Sequence, residues 1–167
     1  MHSHFFELTK DWRDITEKVR HELVTGATTH YKDCDFDLEK FSMSEFAQKN
    51  ESLLEILKEK YEVIKDNASR RNGKKSFHIL MMHYFEDMYH VLVEMRRVLK
   101  PGSKAYLILG DSAPYGVHIP TTQYLGEIAQ SAGFGDYKIF KIRNRGTKWN
   151  VKTRHNIELA ENILELT

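Results

Sequence analysis

The stretch Tyr84–Ser112, YFEDMYHVLVEMRRVLKPGSKAYLILGDS, holds a helix, a stop and a strand in succession. Tyr84, Met88, Val91, Leu92, Met95, Val98 and Leu99 recur with a period near 3.6, which predicts an amphipathic helix with one apolar stripe. Glu94 and Arg97 stand three apart on its wet side and can pair. Pro101 cannot extend the helix, and Gly102 accepts the conformation that a helix end demands. Ala105–Leu109 is then apolar without alternation, which predicts a strand buried on both faces. Strands of that kind belong to α/β sheets, whose ligands collect at carboxyl ends of strands. Asp111 and Ser112 occupy such an end and are the candidate cofactor-site residues.

Working outward, Leu8, Trp12, Ile15, Val19 and Leu23 predict a helix over 6–24. Residues 27–42 read as a polar loop. Asp33, Asp35 and Asp37 alternate there as in a calcium loop, but Leu38 and Ser44 replace its glycine and its bidentate glutamate. A second helix is expected from Ser42 or Ser44 to about Lys65, and the central helix from about Ser76. Pro120 and Thr121 open a further helix that runs through Ala132, capped by Gly133. Tyr137–Arg143 alternates as a strand, and a last strand is expected over Leu159–Leu166. The expected fold is one α/β domain, with a helical front part over 1–75 and a helix–strand–helix–hairpin core over 76–167. Its short sheet has three strands, Lys104–Gly110, Tyr137–Arg143 and Leu159–Leu166.

No apolar run approaches the ~20 residues that cross a membrane, and the start, Met1-His2-Ser3-His4, resembles no targeting segment. A single cysteine, Cys34, excludes an internal disulfide and fits a reducing compartment, so cytoplasm is the expected location. Charge is unevenly spread: residues 1–66 are net acidic and 67–167 net basic. No acid falls between Tyr137 and Ile157, whereas Lys138, Lys141, Arg143, Arg145, Lys148, Lys152 and Arg154 do. Such a strip can hold nucleic-acid phosphates, with Lys141, Arg143, Arg145, Lys148 and Arg154 as the candidate contacts; an exposed hairpin kept from aggregating by its lysines reads the same way. His83, Asp87 and His90 share a helical face, but they adjoin the apolar stripe, and no metal site is expected of them.

The order helix, Arg97-Val98-Leu99-Lys100-Pro101-Gly102, strand, helix, Gly133-Phe134, strand, loop, strand resembles the C-terminal half of class I S-adenosylmethionine-dependent methyltransferases. Leu109-Gly110-Asp111-Ser112 and Ile119-Pro120-Thr121 are similar to motifs of the site-specific DNA amino-methyltransferases, the modification enzymes that act on exocyclic nitrogens of adenine or cytosine. The segment DWRDITEKVRHELVTGATTHY resembles the stretch directly after the catalytic motif in that group. One departure is Leu159-Ala160-Glu161-Asn162, where the family favours Leu-Arg-Glu-Ser. The resemblance implies a partial Rossmann-like fold, S-adenosylmethionine as cofactor and DNA as partner.

Two parts that such an enzyme needs are missing from this sequence. No glycine-rich turn follows a first strand, and the prolines, Pro101, Pro114 and Pro120, form no Pro-Pro-aromatic motif to grip a flipped base. Ser112-Ala113-Pro114-Tyr115 imitates that motif after the wrong strand. No catalytic residue is therefore expected, and the cofactor is not expected to bind this chain alone. In a complete fold the Lys104–Gly110 strand would be paired on both sides. Here one edge stays open, and the expectation is that a separate N-terminal half-protein or a second copy covers it. The competing expectation is a non-catalytic nucleic-acid-binding or interaction module, or a fragment without activity.

Overall fold

A computed structural model of the chain describes residues 23–26, 28, 36–71, 76–145 and 158–167. The helix expected over 6–24 lies almost wholly outside them, and Leu23–Gly26 is not helical. Asp33, Asp35, Lys148, Lys152 and Arg154 also lie outside the described residues.

The single helix expected before Lys65 is three helices: α1 (Leu38–Phe41), α2 (Glu45–Lys49) and α3 (Glu51–Arg70). Local capping explains the breaks. Asp37 accepts from the amides of Glu39 and Lys40 (2.9 and 3.1 Å), and the Ser44 hydroxyl accepts from the Ala47 amide at 3.3 Å. Asn50 leaves helical geometry at φ −130, and its side-chain amide donates to the Phe46 carbonyl at 2.8 Å. A side chain that takes over a backbone acceptor in this way competes with the helix ladder. α3 then continues past Lys65 to Arg70, whose guanidinium meets Asp66 at 2.8 Å.

α4 (Phe77–Val98) packs against α3 and buries Ile79, Met81, Met82, Phe85, Met88, Tyr89 and Leu92. Its buried side is rotated from the expected stripe: Tyr84 and Val91 are half-buried, and Val98 is exposed. Glu94 and Arg97 pair at 2.8 Å, as expected. Leu99 leaves the helix with extended backbone, and Gly102 turns the chain at φ +78, which favours glycine.

Three strands follow: β1 (Ala105–Gly110), β2 (Tyr137–Arg145) and β3 (Leu159–Leu166). β3 lies between the other two and runs antiparallel to both, in the order β1-β3-β2. β1 and β2 are therefore parallel, and their carboxyl ends point the same way. α5 (Thr121–Ser131) crosses all three strands on one face, with Leu125, Ile128 and Ala129 buried near Leu164 and Leu166. Gly126 is required there, because a Cβ at this position would stand 2.5 Å from the Tyr137 ring. Gly133 closes α5 at φ +100 and its carbonyl accepts from the Arg96 guanidinium at 3.0 Å.

One expectation is corrected. β1 is not buried on both faces. Ala105, Leu107 and Leu109 turn toward the core, while Tyr106 and Ile108 are 60% and 69% exposed. Helices cover one face of the sheet only, so the apolar run meets solvent with every second residue. The register places Ile108 opposite Ile163, and Ile163 opposite the exposed Phe140, in one row on that face. The architecture is thus a mixed α/β fold on a small antiparallel sheet. Among the described residues, no helix is long and apolar enough to cross a membrane.

Candidate functional site

The carboxyl end of β1 opens into a cavity of about 450 Å³. α4 supplies one wall with Phe77, Leu80, Met81, Tyr84 and Phe85. Gly110, Ser112 and Pro114 close it from the strand end, Ile119 and Thr121 from the start of α5, and Val24–Gly26 from the front segment. The size suits a small molecule or a few side chains. No Asp, Glu, Lys, Arg or His is among the described lining residues. Tyr84 is the one titratable group among them, and burial pushes that hydroxyl above the usual tyrosine range.

Asp111 and Ser112 stand beside this cavity with different duties. The Asp111 carboxylate accepts from the Ala160 amide at 3.3 Å and lies 3.3 Å from His118 Nε2. Its own amide donates to the Ala160 carbonyl at 2.9 Å. Asp111 therefore clasps the end of β1 to the start of β3, which is structural work. Ser112 exchanges two backbone hydrogen bonds with Ile119 (3.2 and 2.8 Å), so the 112–119 loop returns on itself and leaves Ser112 on the cavity wall.

The loop is held from outside as well. Lys60 of α3 donates to the His118 carbonyl at 2.8 Å, and Asn67 to the Tyr115 carbonyl at 3.3 Å. Partial burial draws the Lys60 ammonium below the usual lysine range, with Glu59 opposing. Tyr115 sits at φ +47 with its ring against Phe77 at 5.6 Å. A left-handed tyrosine is strained, and these contacts hold it. The Ser-Ala-Pro-Tyr imitation is thus a short 3₁₀ turn over Pro114–Gly116 whose tyrosine packs on α4.

S-adenosylmethionine carries an ammonium, a carboxylate and a sulfonium. The cavity wall offers those charges no counter-ion, and the Asp111 carboxylate is engaged with β3 and His118. The residues at this end do not fit the cofactor.

The basic candidates are only partly brought together. Lys141 and Arg143 lie on β2 at the sheet end that also carries Asp111 and Ser112, and Arg145 follows at the end of β2. The pairing shifts between Lys141 and Arg143, so a bulge turns that edge. The Arg143 guanidinium is paired with the Glu161 carboxylate across the strands, a contact that charge spacing alone does not disclose. Lys148 and Arg154 lie outside the described residues.

His83, Asp87 and His90 form no metal site. His83 packs edge-on against Phe36 and lies 3.7 Å from Glu86, while Asp87 is engaged by Thr25. Among the described residues no three His, Cys, Asp or Glu side chains gather to hold a metal. Sequence reasoning missed the cavity itself. Its wall is the half-buried flank of α4, and the signal was Phe77, Leu80 and Tyr84 at helical spacing beside the expected stripe. No family model matches the chain, and no curated protein or solved structure matches it.

Proposed function

We propose that this chain is the C-terminal portion of an S-adenosylmethionine-dependent DNA amino-methyltransferase with a Rossmann-like sheet, and that it needs a complementing N-terminal half for activity. The observation that carries this reading is the place of β3, which inserts between β1 and β2 and runs against both. That is the reversed hairpin expected from the resemblance in Arg97–Gly102, Leu109–Ser112, Ile119–Thr121 and Gly133-Phe134. The same arrangement leaves the outer edge of β1 unpaired among the described residues, where a complete fold of that kind continues its sheet.

On this reading the chain supplies one wall and a nucleic-acid-facing rim. Lys141, Arg143, Arg145, Lys148 and Arg154 neutralise phosphates without reading sequence. The cofactor and the catalytic motif belong to the complementing half, consistent with the misfit of the charged cofactor at the end of β1. Calorimetry with S-adenosylmethionine tests this on the chain alone and mixed with an N-terminal half that carries the glycine-rich turn and the Pro-Pro-aromatic motif. Heat from the mixture only is the expected result, and binding by the chain alone overturns the division of labour. A nucleic-acid-binding module without any enzyme is the second reading, favoured by the exposed Lys141 and Arg143. Salt-dependent DNA binding by the chain, with no cofactor binding in any mixture, selects it.

A further inference from the structure

We infer that the outer edge of β1, together with the cavity at its carboxyl end, is the docking site for an uncharged extended strand of a different polypeptide. The inference rests on the proposed function, and it assigns the cavity as a socket for that strand's side chains.

The two edges of the sheet are built differently. β2, the edge on one side, carries Lys138, Lys141 and Arg143 and a bulge, all of which discourage pairing with a stray strand. β1, the edge on the other side, has the sequence Ala-Tyr-Leu-Ile-Leu-Gly. It has no charge, no proline and no bulge, and among the described residues it pairs only with β3. An edge without protective features is one that is normally paired. The wall beside its carboxyl end is equally free of charge: Phe77, Leu80, Met81, Tyr84 and Phe85 face a cavity of about 450 Å³. A strand laid along β1 gains main-chain hydrogen bonds from the edge and places alternate side chains toward α4. Its remaining side chains come to lie beside Tyr106 and Ile108, which are otherwise exposed.

The cavity also decides between a second copy and a foreign strand. In a β1–β1 pair the leucines on the helix face, Leu107 and Leu109, already pack in their own protomer's core. A second copy would satisfy the edge and leave the socket empty. A strand apolar on both faces, from another chain, satisfies both. Charge complementarity requires that strand to be neutral over its paired length.

The test uses the full chain and a nine-residue synthetic peptide, with valine and phenylalanine alternating between two terminal lysines. Hydrogen exchange of the amides over 105–110 is followed with and without it. The expected result is at least tenfold slower exchange on adding the peptide, lost when alternate peptide amides are N-methylated. Leu80→Trp, which fills the socket with an apolar ring, should weaken peptide binding at least tenfold while the melting temperature stays near that of the parent. Should that variant unfold, Tyr106→Lys with Ile108→Lys, both at exposed positions, should weaken binding in the same assay. Exchange that the peptide leaves unchanged overturns the inference. So does a chain that sediments as a dimer with 105–110 protected before any peptide is added, since a second copy then holds the edge. DNA affinity measured on the same samples reports on the proposed function separately, because Lys141 and Arg143 lie on the opposite edge strand.

Discussion

Asp87 receives two hydrogen bonds from one residue: the backbone amide of Thr25 donates to its Oδ2 at 2.8 Å and the Thr25 hydroxyl to the same oxygen at 2.6 Å. Thr25 is buried, and the pair crosses from the front segment to the middle of α4. Hydrogen bonds to a charged acceptor are the stronger class, and removing the acceptor strands two donors. Asp87→Ala should destabilise the chain by about 1–3 kcal/mol, read from urea unfolding midpoints. An unchanged midpoint would show that the front segment is not fastened there.

Gly126 has Tyr137 against it, with the ring 2.5 Å from where a Cβ would sit. A ring held under a helix cannot retreat by the ångström that a methyl group needs. Gly126→Ala should therefore cost about 1–3 kcal/mol by overpacking, although alanine favours the helix by roughly 1 kcal/mol. Gly126→Ala with Tyr137→Leu should recover most of the loss, and thermal melts of the single and double variants check it.

Glu165 is held below the usual carboxylate range, first by the Lys104 ammonium at 2.9 Å and then by the Tyr106 hydroxyl. A depressed carboxyl adds stability that is complete above its unfolded value, near pH 4.3, and is lost as pH falls through the folded value. Stability of the parent should fall on acidification below about pH 4 more than that of Glu165→Gln, which has no such group to protonate. Urea midpoints across the acid range measure the difference, and parallel curves would assign the acid sensitivity elsewhere.

Arg143 and Lys141 differ in a way that DNA binding should report. Arg143 already faces Glu161, whereas Lys141 stands at the bulge opposite Asn162. Lys141→Ala should weaken DNA binding equally at every sequence and reduce the salt slope by about 1. Arg143→Ala should have the smaller effect, and Glu161→Gln, which frees the guanidinium, should strengthen binding. Equal affinities across all three variants would place the DNA elsewhere on the chain.

The strands were legible because each signal was local: a Lys-Pro-Gly stop before β1, a glycine cap before β2, and apolar residues in β3. The break at Asn50 was not, since it depends on one side-chain amide taking the Phe46 carbonyl in place of continued helix. Exposure of Tyr106 and Ile108 was also illegible. An unbroken apolar run states only that a strand is suited to two covered faces, and which helices arrive to cover them is a property of the whole fold. At the site, Asp111 and Ser112 were correctly placed at a strand end. The clasp from Asp111 to Ala160 joins residues 49 apart in sequence, and no periodicity encodes it.

The central place of β3 has a consequence for the order of events at synthesis. Both β1 and β2 find their hydrogen-bond partner in a segment that comes after them in the chain. A ribosome releases the chain amino end first, at roughly 5–20 residues per second, so for several seconds β1 exists with neither edge occupied. The helices α3, α4 and α5 can close on one another in that interval, but the sheet cannot. Whatever protects Ala-Tyr-Leu-Ile-Leu-Gly from misassociation in those seconds must act on a nascent chain, before the fold that finally holds the strand has been made.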